Sequence, residues 1–206
     1  MATNLLIVYT TDFGNTQQMA ERALKGAQSV EEVQAVLQKA EDTSLEDTRR
    51  ADGILIASPM KHRNMHSRIK EFVERTFEQG WLTDDFIGKV GGVMTVGGGY
   101  GNAGAGCEIA QISIVATYAA NGMIMVPFPK CTPGSDEAGM HWGPSGRSGD
   151  VKMKPVDLTD QMLEAAYHHG ANVARVTKAV AAHSGLFATG NVAPPPEIAE
   201  MFKNAD

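Results

Sequence analysis

The chain reads as an α/β protein: a doubly wound, five-stranded parallel sheet in the order 2-1-3-4-5 with helices on both faces. Three observations predict this. Buried-type apolar runs, such as Leu5-Leu6-Ile7-Val8-Tyr9, recur along the chain and suit strands covered on both sides. Segments with helical spacing of apolar residues separate them. No linker interrupts that alternation in the first 180 or so residues, as parallel βαβ units require.

The first strand ends in Thr10-Thr11-Asp12-Phe13-Gly14-Asn15-Thr16, and Met19, Ala20, Ala23, Leu24 and Ala27 then repeat with helical spacing. A short loop between a buried strand and a helix N-terminus offers free backbone N–H groups and the positive end of the helix dipole, an arrangement that binds phosphate. Thr11, Asn15 and Thr16 add neutral donors. Neither a Walker lysine nor Gly-x-Gly-x-x-Gly is present, so the loop is expected to hold one phosphate.

The remaining elements follow in order. Residues 33–39 alternate apolar and polar like an edge strand, and residues 45–50 form a short helix capped by Ser44. Residues 53–57 form a buried strand closed by Ser58-Pro59, and residues 67–77 an amphipathic helix. A strand over 90–96 leads into the glycine-rich stretch 97–104, then an apolar helix over 107–120 and a fifth strand at 122–126. Residues 127–156 are a Gly/Pro-rich excursion. Asp157 or Thr159 caps a last helix reaching about His183. Residues 185–206, with Pro194-Pro195-Pro196, leave this pattern, so the expected division is a domain over 1–184 and a C-terminal extension.

In that strand order ligands sit beyond the carboxyl ends of the strands, beside the switch point. Three loops gather there. The first holds phosphate. The second, Ser58 to Met65, offers backbone amides and Asn64 to a polar ring edge, with Met60 and Met65 against the ring. The third opens at Thr95 and presents Gly97 and Gly98, whose missing side chains admit a flat ring, and Tyr100.

The strand followed by Thr-x-x-Gly-Asn-Thr resembles the FMN-phosphate loop of flavodoxins. With Ala51 to Pro59, Asn64-Met65 and Gly88-Lys89-Val90-Gly91 leading to Thr95, the chain resembles the WrbA-type NAD(P)H:quinone oxidoreductases and related NADPH-dependent FMN reductases. The resemblance implies a flavodoxin-like fold and FMN held by Thr11, Phe13, Gly14, Asn15, Thr16, Ser58, Pro59, Met60, Lys61, Asn64, Met65, Thr95, Gly97, Gly98 and Tyr100. It also implies that Trp81, seven residues before Gly88, lines the flavin pocket. Where this family has a histidine before Gly-Met of the fifth strand, Asn121 stands here, and His141 is the candidate proton donor in its place. Lys61, His62 and Arg63 would put positive charge beside the reduced flavin.

The implied activity is two-electron transfer from NADPH or NADH through FMN to a quinone-like acceptor in a ping-pong sequence. An FMN, nitro- or azo-compound reductase on the same scaffold, and a one-electron carrier, remain open. A homodimer or homotetramer is also implied. The net charge of −6 without a basic stripe argues against nucleic acid. The N-terminus lacks a signal-peptide pattern and no apolar run spans a bilayer, so a cytoplasmic protein without membrane insertion is expected. His62 and His66 have helical i, i+4 spacing but no third ligand, and Cys107 and Cys131 lack ligand spacing, so no metal is expected.

Overall fold

A computed structural model describes residues 2–99, 104–183, 185–187 and 195–203. The first strand, β1 (Thr3–Tyr9), is followed by α1 (Asn15–Gln28) and β2 (Val33–Lys39). A single 3-10 turn over Ala40–Asp42 leads to α2 (Leu45–Arg50). Ser44 caps α2 as expected: its hydroxyl accepts from Asp47 N at 3.2 Å while the Asp47 carboxylate accepts from Ser44 N at 2.9 Å.

The next strand, β3 (Gly53–Lys61), does not stop at Ser58-Pro59 as the sequence suggested. It continues through Pro59 and folds back as β4 (Asn64–Met65), pairing Met60 with Met65 and Lys61 with Asn64. Proline can occupy that place because the chain beyond it needs no long ladder on the sheet. Helix α3 (Ser67–Val73) runs through a π-helical turn, Glu74–Glu78, into α4 (Gln79–Leu82), five residues beyond the expected end. Then come β5 (Val90–Gly97), a 3-10 turn at Gly104–Gly106 and α5 (Cys107–Ala120).

The fifth strand is split. β6 (Ile124–Met125) pairs with the start of β5, and β7 (Ser145–Arg147) pairs with its end, both in parallel. Between them the chain leaves the sheet and forms α6 (Ser135–Ala138). What the sequence offered as one excursion therefore returns half-way to complete the sheet. The hydrogen-bonded path runs β2-β1-β3-β5-β6, with β4 off β3 and β7 off β5. Counting β6 and β7 as one strand, this is the expected 2-1-3-4-5 order.

Helix α7 (Asp160–Ala181), capped by Thr159 whose hydroxyl accepts from Met162 N at 3.2 Å, covers one face of the sheet together with α1. Their crossing is close: a Cβ on Gly170 would lie 2.1 Å from the Ala23 carbonyl oxygen. Leu5, Ile7, Leu55, Met94, Val173 and Ala174 fill the core on that side. Leu6, Ile54, Ile56, Phe72, Phe77 and Tyr118 fill the other, beneath α3 and α5. Pro196–Lys203 form α8. No helix among the described residues is long and apolar enough to cross a membrane.

Candidate functional site

At the carboxyl ends of the strands a cleft of about 620 Å³ opens between loop one, the β3–β4 hairpin, the end of β5 and the returning segment 148–157. That volume is typical of small-molecule sites. Loop one forms its first wall. Gly14 ends the loop in the left-handed region, φ 86°, and caps α1 without a side-chain hydrogen bond. The Gly14 N–H donates to Thr11 Oγ1 at 2.9 Å, turning the loop tightly over the helix start. No acidic residue stands in the first turn of α1, which leaves its amides and dipole free for an anion. Thr16 is 1% exposed and lines the cleft with Thr11, Phe13 and Asn15.

Loop one also carries Asp12, a cleft residue that the sequence reading passed over. Lys61 Nζ stands 2.5 Å from Asp12 Oδ2, His66 Nε2 lies 3.4 Å from the same oxygen, and Arg68 donates to Oδ1. The Lys61 hydrogen bond, with the surrounding cations, holds the Asp12 carboxyl below its usual range. Arg68 also pairs with Glu41 at 2.8 Å. The expectation that Lys61 places free positive charge beside the flavin is therefore corrected: that charge is taken by Asp12. Its position four residues after Val8, within the phosphate loop, was the available signal.

The second wall is Pro59, Met60 and Lys61, and the third is Val96, Gly97 and Gly98. A Cβ added to Gly98 would meet nothing within 4 Å, so the chain there is a bare backbone surface facing open space. The fourth wall, Ser148, Gly149, Met153, Pro155, Val156 and Asp157, was missed because it lies at the end of the excursion, remote in sequence from the other walls. Gln18 was missed too. That wall is seated by Gln111, fully buried on α5, whose Nε2 donates to Thr95 Oγ1 and to the Gly143 carbonyl, each at 3.0 Å.

Several expected site residues do not line this cleft and make contacts within the fold. Ser58 is buried, and its hydroxyl accepts from His66 N at 2.9 Å, pinning the hairpin. Met65 belongs to the core under α5, and the Asn64 amide oxygen is taken by Met65 N at 2.8 Å. Thr95 is buried beneath the sheet end. Cys107, read from the sequence as a core residue, is buried, and burial pushes its thiol up against the hydrogen bonds of Ser145 and Thr95.

Three residues given roles at the flavin lie away from the cleft of their own chain. Trp81, 53% exposed, sits on α4, beyond the end of α3 remote from the hairpin, and does not line the cleft. Asn121 follows α5 at the amino end of β6 and donates to the Thr117 carbonyl at 2.9 Å. A strand length separates it from the cleft. His141 is exposed in the excursion, with only its carbonyl engaged, by Phe128 N at 3.0 Å. Neither Asn121 nor His141 lines the cleft of its own chain. Tyr100 lies outside the described residues.

Comparison with known proteins bears on what this cleft holds. Residues 31–131 match the family described as NADPH-dependent FMN reductase. The minor allergen Alt a 7 of Alternaria alternata is 30% identical over 194 residues, which span 80% of this chain and 93% of that one. The chain belongs to the NADPH-dependent FMN reductase family. A quinone oxidoreductase, QR2, of Triphysaria versicolor is 26% identical over 87% of this chain and 98% of its own. A flavodoxin-type WrbA-like protein of Agrobacterium tumefaciens has the same fold, with a TM-score of 0.65 at 21% identity over 86% of this chain and 98% of that one.

The cleft of this FMN reductase family member fits FMN. Its phosphate end has a helix N-terminus without a side-chain cap beside the Thr11 and Thr16 hydroxyls, and its wall at Gly98 is bare backbone open to the cleft. A single phosphate loop suits FMN, whose one phosphate needs no second glycine-rich turn.

Proposed function

We propose that the protein is an FMN-dependent oxidoreductase that takes hydride from NADPH or NADH and reduces a quinone-like acceptor. One observation carries this reading beyond cofactor storage: the cleft is rimmed by large apolar side chains left in solvent. Phe13 is 85% exposed and Met153 60%, and both line it. Exposed apolar groups on a concave rim favour a flat apolar partner.

The chain's own residues divide the work. Thr11, Asn15, Thr16 and the first amides of α1 bind the phosphate. Gly97 and Gly98 back the ring, and Met60 packs its edge. Bound FMN supplies the redox chemistry, accepting two electrons as hydride and delivering both to the acceptor. Asp12 orients Lys61 on the rim. Among the described residues no histidine lines the cleft.

The same reading makes the protein a cytoplasmic homo-oligomer, with residues 1–184 as the catalytic domain and the rest an extension. The outer face of α5 supports assembly: Ile109 and Ile112 are 54% and 45% exposed there. Steady-state NADPH and NADH oxidation by the FMN-loaded protein tests the function. Turnover with benzoquinone is expected. Turnover confined to nitro or azo compounds would replace the quinone, and no turnover with any acceptor would reject the enzyme.

A further inference from the structure

Charge is concentrated at one corner of the cleft, where loop one meets the β3–β4 hairpin. Asp12 and Lys61 both line the cleft there. The Asp12 carboxylate accepts from Lys61 at 2.5 Å and from Arg68, and His66 Nε2 lies 3.4 Å from it. Arg68 also pairs with Glu41 at 2.8 Å, and Glu41 accepts from Thr10 Oγ1 at 3.2 Å. His66 Nδ1 accepts the Arg68 backbone N–H at 3.1 Å, so the ring is neutral, with its proton on the Nε2 that faces Asp12. Two carboxylates therefore meet two cations, and the network sums to zero.

Its members come from four separate stretches: loop one, the 3-10 turn after β2, the hairpin and the first turn of α3. The Asp12 side chain is only 23% exposed, so solvent screens it less than a free surface charge. Among the described residues the only other charged group that lines the cleft is Asp157, on the fourth wall. Taking away Asp12 or Lys61 thus leaves one unit of charge uncompensated on the wall against which the ring would lie.

We propose that Asp12 is a positioning residue that keeps the reduction potential of the bound flavin low, by cancelling the charge of Lys61. The proposal rests on the reading under "Proposed function" and adds what governs the driving force toward the acceptor. Hydride brings the ring two electrons and one proton, so the reduced cofactor carries one more negative charge than the oxidised one. An uncompensated cation on the wall would hold that form more tightly, and an uncompensated carboxylate would repel it. With Asp12 and Lys61 paired, the corner does neither. The phosphate of FMN meets the same field in both oxidation states, so its own attraction cancels in the potential. Reduced flavin then keeps the driving force to pass both electrons on to a quinone.

The test is a charge cycle on the FMN-loaded full chain, read by equilibrium reduction against a reference dye. Asp12→Asn should hold reduced FMN about tenfold more tightly relative to oxidised FMN, the order expected of one unit charge at a partly solvated wall. For a two-electron couple that is a rise of about 30 mV. Lys61→Gln should move the potential by a similar amount in the opposite direction. The double variant is neutral again and should return to within about twofold of the natural chain. Added salt should shrink both single shifts. A merely structural contact predicts single variants of the same sign, because both break the same ion pair. Single shifts of one sign, an unmoved potential in either single variant, or a double variant far from the natural chain would overturn the proposal. The measurement uses neither a pyridine nucleotide nor a quinone, so a failure of quinone turnover would reject the proposed acceptor without moving these potentials.

Discussion

Replacing His169 by Leu tests the core beneath the site through its response to acid. His169 is fully buried on α7, and neither ring nitrogen has a partner of hydrogen-bonding geometry. Its ring meets Phe128 edge-on, with centroids 5.6 Å apart. Burial, only weakly opposed by the Val93 backbone, lowers its pKa from 6.5 to about 4. In the unfolded chain the imidazole takes up a proton below about pH 6.5, whereas in the fold it stays neutral down to about pH 4. The unfolded state therefore binds more protons in that window, and stability falls as pH falls through it. At about 1.36 kcal/mol per pH unit the loss approaches about 3 kcal/mol, complete near pH 4. His169→Leu removes the group, so the stability of the variant relative to the natural chain should rise by up to about 3 kcal/mol between pH 7 and pH 4. Packing changes are common to both pH values and cancel in that difference. Urea midpoints across the range measure it. A stability gap that does not change with pH would refute the account of a neutral, partnerless imidazole.

Two further predictions concern the cleft. Thr16→Ala should weaken FMN binding by about 1–3 kcal/mol, the cost of a hydrogen bond to a charged group, as read by flavin-fluorescence titration; unchanged affinity would remove Thr16 from the phosphate site. Gly98→Val should leave the stability of the flavin-free protein within about 0.5 kcal/mol, because its Cβ meets no neighbour within 4 Å. Gly98 lines the cleft, so a side chain there is expected to crowd the ring and leave the variant nearly free of flavin on purification, and a normal flavin content would show that the wall at Gly98 does not face the ring.

The architecture was legible because its signals are local. Leu5 to Tyr9 and Gly53 to Ala57 are apolar runs that only a two-sided burial explains, and the caps at Ser44 and Thr159 form as their residue types demand. The β3–β4 hairpin was hidden by Pro59, which usually ends a strand, and by a tip of His and Arg in place of turn formers. β7 was hidden because Ser145-Gly146-Arg147 has no strand-like apolar pattern; it is placed by Gln111 and by pairing with β5, both long-range. The same distance explains the site. Thr11, Asn15, Thr16 and Gly98 were readable from the two loops next to strands. Ser148, Gly149 and Met153 reach the cleft only once the excursion has returned. Asn121 and Trp81 were assigned by resemblance, and the direction of α5 and α3 carries both to the other end of the sheet.

The central claim is that one FMN in the cleft passes electrons from a pyridine nucleotide to a quinone. Anaerobic mixing of the FMN-loaded protein with NADPH, followed by a naphthoquinone, tests it most directly. The flavin absorbance should bleach with NADPH and return in full when the quinone is added, and heat should then release FMN at one per chain. Absorbance that neither NADPH nor NADH bleaches, or a released cofactor that proves to be FAD, would contradict it.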